Sequence, residues 1–316
     1  MSASVSVPQT LWDLQVPLYI THTNAPNTPF VTAVPRFSYL ALLLPRLSGY
    51  FGLPCSSFHH EDVLLRNLTV GLLVDLYQPT LPWRLVVGEG VSWDIGDTFL
   101  NSAKEADFVR NGSAKQIMSL SKENTTALWN AVQDNDYTSF NKVNSRLLNT
   151  SRELKNVPLR IYIPTSPSDI SGSGVSSSGA FKVMQSLVQP RINDRTPQTV
   201  GMALRSLLPR LFPSSRDPVL AAAILHGARV PFHAPLEELM REAAYPDGAE
   251  VKFRSPGDHI WEIYPPAPVD EVFCTLHYMV CLYMVIPRTK PSCQLVPKLS
   301  WPVARATGLT YPEVHD

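Results

Sequence analysis

The chain has 316 residues, enough for two or three small domains, each with its own core. Hydrophobic residues make up 44% and charged residues 17%, a globular balance rather than a disordered one. The formal net charge is +0 with no basic block, which argues against sequence-led nucleic-acid binding, and 29 prolines predict many turns and short elements.

Residues 1–15 show no cationic start followed by an apolar run, so no secretory signal is expected. The longest apolar stretch, HYMVCLYMVI at 277–286, falls well short of the roughly 18 residues of a membrane span. The expectation is a cytosolic chain with reduced thiols. On that reading the sequons at Asn67, Asn111, Asn124 and Asn149 are chance matches.

Taken in order, residues 7–14 read as a short helix with Leu11 and Trp12 on its apolar side. Segments 16–23 (VPLYITHT) and 30–34 read as strands around turn residues at 24–29. A helix is expected over 37–51, kinked or broken at Pro45 and ended by Gly52. Short strands at 56–60 and 63–66 flank the acidic pair Glu61-Asp62. An apolar helix at 70–77, stopped by Pro79, precedes a strand at 83–87. The order β-β-α-β-β-α-β is that of a ubiquitin-like β-grasp domain, although ferredoxin-like folds use a similar mix.

From residue 97 to residue 149 the pattern is helical throughout. The first helix, 97–110 (DTFLNSAKEADFVR), has Asp97 placed as its N-cap. Phe99, Ala103, Ala106 and Val109 share one apolar face, and Lys104 points elsewhere, between Leu100 and Phe108. Asp107, three residues on, is its expected neighbour. Helices at 113–120, 123–133 and 137–148 follow, with Leu128, Trp129, Phe140, Val143, Leu147 and Leu148 as core candidates.

A second β-grasp pattern then begins. Strands are expected at 158–163 and 181–188, around a Ser/Gly-rich loop at 165–179. A long helix is expected at 200–212, then strands at 219–226 and 229–232 with Gly227 turning them, then a helix at 235–244. The chain thus repeats a topology without repeating a sequence.

Few side-chain groupings suggest chemistry. Cys274, His277 and Cys281 have zinc-ligand character, but paired C-x2-C knuckles are absent and the intervening residues are apolar. His59, His60, His226 and His233 read as turn or packing residues. The 171–179 loop has no nucleophile elbow and no phosphate-binding lysine. Arg36, Arg46, Arg66 and Arg84 read as ordinary surface cations, with anionic-lipid contact as the alternative. No catalytic, metal or cofactor site is expected.

Several stretches together are more specific: RFSYLALLLPRL (36–47), VGLLVDLY (70–77), LPWRLVV (81–87), AKEADFVRNGSAK (103–115) and LWNAVQDND (128–136). Further on come PLRIYIP (158–164), LHG (225–227) and APLEELMREAAYPDG (234–248). The chain resembles the autophagy protein 5 family over about residues 7–248, and most closely its filamentous-fungal members. The resemblance implies an α+β protein in which two ubiquitin-like β-grasp domains flank a helix-rich domain. The corresponding segments are an N-terminal helix (1–15), domain A (16–92), a helical module (97–150) and domain B (157–253).

The resemblance also implies a function that no motif alone supplies. The lysine of the KEAD segment, Lys104, is implied to be the acceptor for covalent attachment of autophagy protein 12. The conjugate is implied to bind the coiled-coil autophagy protein 16. It then promotes, in a ligase-like way, lipidation of autophagy protein 8 with phosphatidylethanolamine during autophagosome formation and cytoplasm-to-vacuole transport. Transient contact with the activating and carrier enzymes follows, as does a peripheral place on the preautophagosomal membrane. An ordinary lysine amine is neutral only about once in a few thousand at pH 7, so activation is assigned to the carrier enzyme. The chain itself is expected to be a substrate and scaffold, not an enzyme. The alternative is an unconjugated ubiquitin-like adaptor.

Residues 254–316 match nothing in the family and hold three of the four cysteines. They are expected to form an atypical, mostly irregular tail, with 249–253 as the last strand of domain B. The competing reading gives that strand to HYMVCLYMVI.

Overall fold

The computed structural model describes residues 6–90, 94–149, 153–164, 181–193, 195–247 and 280–285. Helix α1 (Val7–Asp13) leads into strands β1 (Gln15–His22) and β2 (Ala25–Pro35). In β1 the buried residues Val16, Leu18 and Ile20 recur every second position, as a strand with one covered face requires. A 3-10 turn (Leu40–Leu43) runs into α2 (Leu44–Phe51), closed by Gly52 in the left-handed conformation at φ 62. Then follow β3 (Ser57–His60), β4 (Val63–Leu64), α3 (Val70–Tyr77) and β5 (Trp83–Gly88). The sheet order is β2-β1-β5-β3-β4, with β1 and β5 parallel.

The helix expected over 37–51 is therefore shorter. Pro45 does not break it but sits in its first turn, where its missing N–H costs nothing. The residues before it are held by a bridge between Tyr39 and Thr69 and by the 3-10 turn.

The helical module comprises α4 (Ile95–Asn111), α5 (Lys115–Met118), α6 (Lys122–Gln133) and α7 (Tyr137–Leu148). Trp12 of α1 locks it to domain A, lying 5.0 Å from the Phe140 ring and 5.6 Å from Phe37.

Domain B begins with β6 (Val157–Pro164) and β7 (Phe181–Val188), then a small ribbon of β8 (Arg191–Ile192) and β9 (Thr196–Pro197). Helix α8 spans Val200–Leu207, β10 Ala222–Leu225, β11 Ala228–Arg229 and α9 Leu236–Ala243. The final strand, β12, is Val280–Val285. The order β7-β6-β12-β10-β11, with β12 parallel to β6 and antiparallel to β10, repeats domain A strand for strand.

Helix α8 stops five residues before the expected end at 212. Pro209 disfavours helical geometry at the residue before it, and Leu208 leaves the helix with φ -135. The last strand comes from within HYMVCLYMVI, so this part of the tail is not irregular. Segments 249–253 and 165–179 lie outside the described residues.

The two β-grasp domains meet at a buried polar junction. Arg36 is not a surface cation: it is 7% exposed and forms an ion pair with Asp75. Asp75 also accepts the Gly227 N–H of domain B at 3.1 Å. Burial alone would lower the Arg36 guanidinium, but the adjacent carboxylate more than offsets this and holds it above its ordinary value. His226 and Tyr245 pack their rings on Phe37 at 5.3 and 5.4 Å. Tyr39 donates to Asp247 at 2.7 Å, a second bond across the junction. A reader of the sequence alone would have no access to these pairs, since the partners are far apart in the chain.

Candidate functional site

Helix α4 positions the candidate lysine. Its N-cap is Asp94, not Asp97: the Asp94 side chain accepts the Asp97 N–H at 3.0 Å. Asp97 instead supplies negative charge to the first turn, and Gly112 ends the helix at φ 71. Phe99 is fully buried and lies 5.2 Å from the Trp129 ring, while Ala103, Ala106 and Val109 complete the packed face. Fixing this face fixes the opposite one, which carries Lys104.

Lys104 is exposed, and its Nζ donates to Asn101 Oδ1 at 3.3 Å. Leu100, one turn earlier, packs against the core, whereas Phe108, one turn later, is 50% exposed. The amine therefore stands clear of the body, beside an uncovered aromatic ring.

Asp107 is not the neighbour the spacing suggested. It is fully buried and accepts from Asn111 Nδ2 at 2.7 Å and from the Ile117 N–H at 3.0 Å. It ties α4 to α5 and leaves Lys104 alone. The signal was present in the sequence: Asp107 lies one turn beyond Ala103, on the packed face.

Glu105 was missed by the sequence reading. Burial pushes its carboxyl up to about 7, opposed by the Arg160 charge on β6. Its Oε2 is buried without a hydrogen-bond partner among the described residues. A solvated helix position gave no hint of this, because the covering strand is more than 50 residues away.

Among the other candidates, His226 is buried, with its Nε2 2.8 Å from the Ala243 carbonyl. His60 Nδ1 accepts the Trp83 indole N–H at 3.1 Å. Arg46 and Arg84 lie over the rings of Phe30 and Tyr19. Cys274 and His277 lie outside the described residues, as do the side chains of β12, Cys281 included.

Two family models match this arrangement. "Autophagy protein ATG5, alpha-helical bundle region" covers residues 94–150, and "Autophagy protein ATG5, UblB domain" covers 156–248. Autophagy protein 5 of Chaetomium globosum is 72% identical over 248 residues, spanning 78% of this chain and 88% of the relative. The chain belongs to the autophagy protein 5 family.

Autophagy-related protein 5 of Gibberella zeae is 65% identical over 245 residues, covering 78% of this chain and 96% of the relative. The crystal structure of Kluyveromyces marxianus Atg5 aligns with TM-score 0.59 at 22% identity, over 77% of this chain and 96% of that one. This last likeness supports the fold, two ubiquitin-like domains around a helical module. Family membership gives the protein a role in autophagy. The domain-B family model ends at residue 248, so β12 lies beyond the matched region.

Proposed function

We propose that this protein is a conjugation substrate and scaffold, with Lys104 as the point of covalent attachment of autophagy protein 12. Attack by the Lys104 amine on a carrier-enzyme thioester forms the isopeptide bond and releases the carrier's thiol. The amine proton leaves to a base on the carrier. The carrying observation is the position of Lys104, exposed on α4 and bonded, among the described residues, to Asn101 alone. A thioester-bearing enzyme can reach such an amine without any change in the core.

The conjugate then binds autophagy protein 16 non-covalently and promotes lipidation of autophagy protein 8 with phosphatidylethanolamine. In that role it sits peripherally on the preautophagosomal membrane, with a cytoplasmic pool. The protein contributes placement, and the carrier enzymes contribute the chemistry. The Asp107 carboxylate, turned inward, supports this division, since it offers the amine no base.

Co-expression with the conjugation enzymes and autophagy protein 12 tests the assignment. A gel shift is expected for the wild type and for Asn101→Ala, and none for Lys104→Arg. A shift that survives in Lys104→Arg overturns it; no shift in any form leaves the unconjugated adaptor as the better reading.

A further inference from the structure

A groove of about 980 Å³ separates the helical module from domain B. It is distinct from the Lys104 surface. Its lining includes four cations, Arg110, Lys155, Arg191 and Arg241, and two carboxylates, Glu153 and Glu237. Leu148, Leu154, Pro190 and Met240 supply apolar patches, but charged and amide side chains predominate, which favours a polar ligand.

Arg110 is the unusual member. It is 8% exposed, and its Nε is buried without a hydrogen-bond partner among the described residues. Burial lowers its guanidinium to about 10; the Asp107 charge opposes this and the Arg241 charge adds to it. Asp107 gives it charge, while the Asp107 oxygens accept from Asn111 Nδ2 and the Ile117 N–H. A buried guanidinium with an open donor is costly unless an anion meets it.

The other cations differ in availability. Arg241 is held by Glu237 at 3.2 Å and by Asn149 Oδ1 at 3.1 Å. Lys155 and Arg191 are exposed and pair with no other described residue. Lys155 lies over Gly112, where an added Cβ would stand 2.8 Å from its Nζ. Three separate places thus offer cations to one space: the end of α4, the approach to β6, and the start of β8.

We propose that this groove binds a phosphorylated ligand, with one phosphoryl group on the Arg110 guanidinium and further ones met by Lys155 and Arg191. The guanidinium fork matches two phosphate oxygens. The volume exceeds that of a single carboxylate or phosphate, and it suits a ring or headgroup carrying several phosphoryl groups. Such a group comes either from a soluble molecule or from a lipid headgroup. Nothing in the proposal depends on Lys104.

The test uses the full chain. Inositol hexakisphosphate is titrated calorimetrically at low and moderate salt. Vesicles of phosphatidylcholine, with and without phosphatidylinositol bisphosphate, are tested by co-sedimentation. Saturable one-to-one binding is expected, weakened about tenfold by Arg191→Ala and at least as much by Arg110→Met. Lys122→Ala, on α6 outside the groove, should change nothing. Binding of the soluble probe identifies a free phosphorylated molecule as the ligand class, whereas binding to bisphosphate vesicles alone identifies the headgroup. Should Arg110→Met misfold by circular dichroism, the exposed Arg191→Ala carries the result. No saturable binding of either probe overturns the proposal, as does binding that Arg191→Ala leaves intact or that Lys122→Ala weakens equally.

Discussion

Replacing Asp75 by Ala should loosen the junction between the two β-grasp domains. The Asp75 side chain is 4% exposed and that of Arg36 is 9% exposed, so neither charge has ready access to water. Removing the carboxylate leaves the Arg36 cation buried without its counter-ion, at a cost of about 3–5 kcal/mol. The Gly227 N–H loses its acceptor as well, adding about 1 kcal/mol. The sum, about 4–6 kcal/mol, is a large part of the roughly 5–15 kcal/mol that holds a domain folded. Unfolding of a protein with several domains is not two-state, so a local probe is needed beside the global one. Urea titration followed by tryptophan fluorescence reports the whole, and hydrogen exchange at the Gly227 amide reports the junction. Exchange at Gly227 should accelerate about a hundredfold or more. The double substitution Arg36→Met with Asp75→Leu should recover most of the loss, because no charge is then stranded. A loss under about 1 kcal/mol for Asp75→Ala, or a double variant worse than the single, would refute the reasoning.

Three further outcomes follow from packing and charge. A Cβ at Gly201 would overlap the Ser215 carbonyl oxygen and stand 2.9 Å from Phe232 Cδ2, so Gly201→Ala should destabilise domain B by about 1–3 kcal/mol in thermal unfolding. Burial, aided by the Arg36 charge, lowers His226 to about 3, well below its value in an unfolded chain. The unfolded state then takes the proton first: the stability is fully present above about pH 6.5 and is lost as pH falls toward 3, by about 2 kcal/mol at pH 5. His226→Asn, which suits the left-handed φ of 52 at that position, should flatten this part of the stability–pH curve. Strand β12 stands between β6 and β10, pairing with Leu159–Tyr162 on one side and Ala222–Ile224 on the other. Truncation after residue 248 should therefore unfold domain B, seen as loss of exchange protection at β6 and β10; retained protection there would argue against the strand.

The elements that were legible in the sequence share a local cause. Helix α3 and helix α7 have the bounds that their periodicity predicts, because their apolar faces lie within the segments themselves and Pro79 follows α3 closely. Strand β7 likewise spans the expected residues. The prolines were seen but their effects were not: Pro45 starts a helix rather than bending one, and Pro209, inside the expected helix, shortens α8. What escaped was settled by distant partners. Arg36 finds Asp75 and, through it, Gly227; Glu105 is covered by β6; β12, which only the competing reading offered, enters domain B from residues 280–285. Asp107 was an error of another kind, because its place on the packed face could be counted from Ala103. For Lys104, exposure was readable by elimination and the resemblance implied a role; the structure adds the packed face behind it.

The most direct test of the central claim is peptide mapping of the protein isolated from starved cells. Proteolysis and mass spectrometry should find one branched peptide, joined through the Lys104 Nζ to the C-terminus of autophagy protein 12, and Lys104→Arg should yield only the unbranched mass. A branch at any other lysine, or a branched product that persists in Lys104→Arg, would contradict the account.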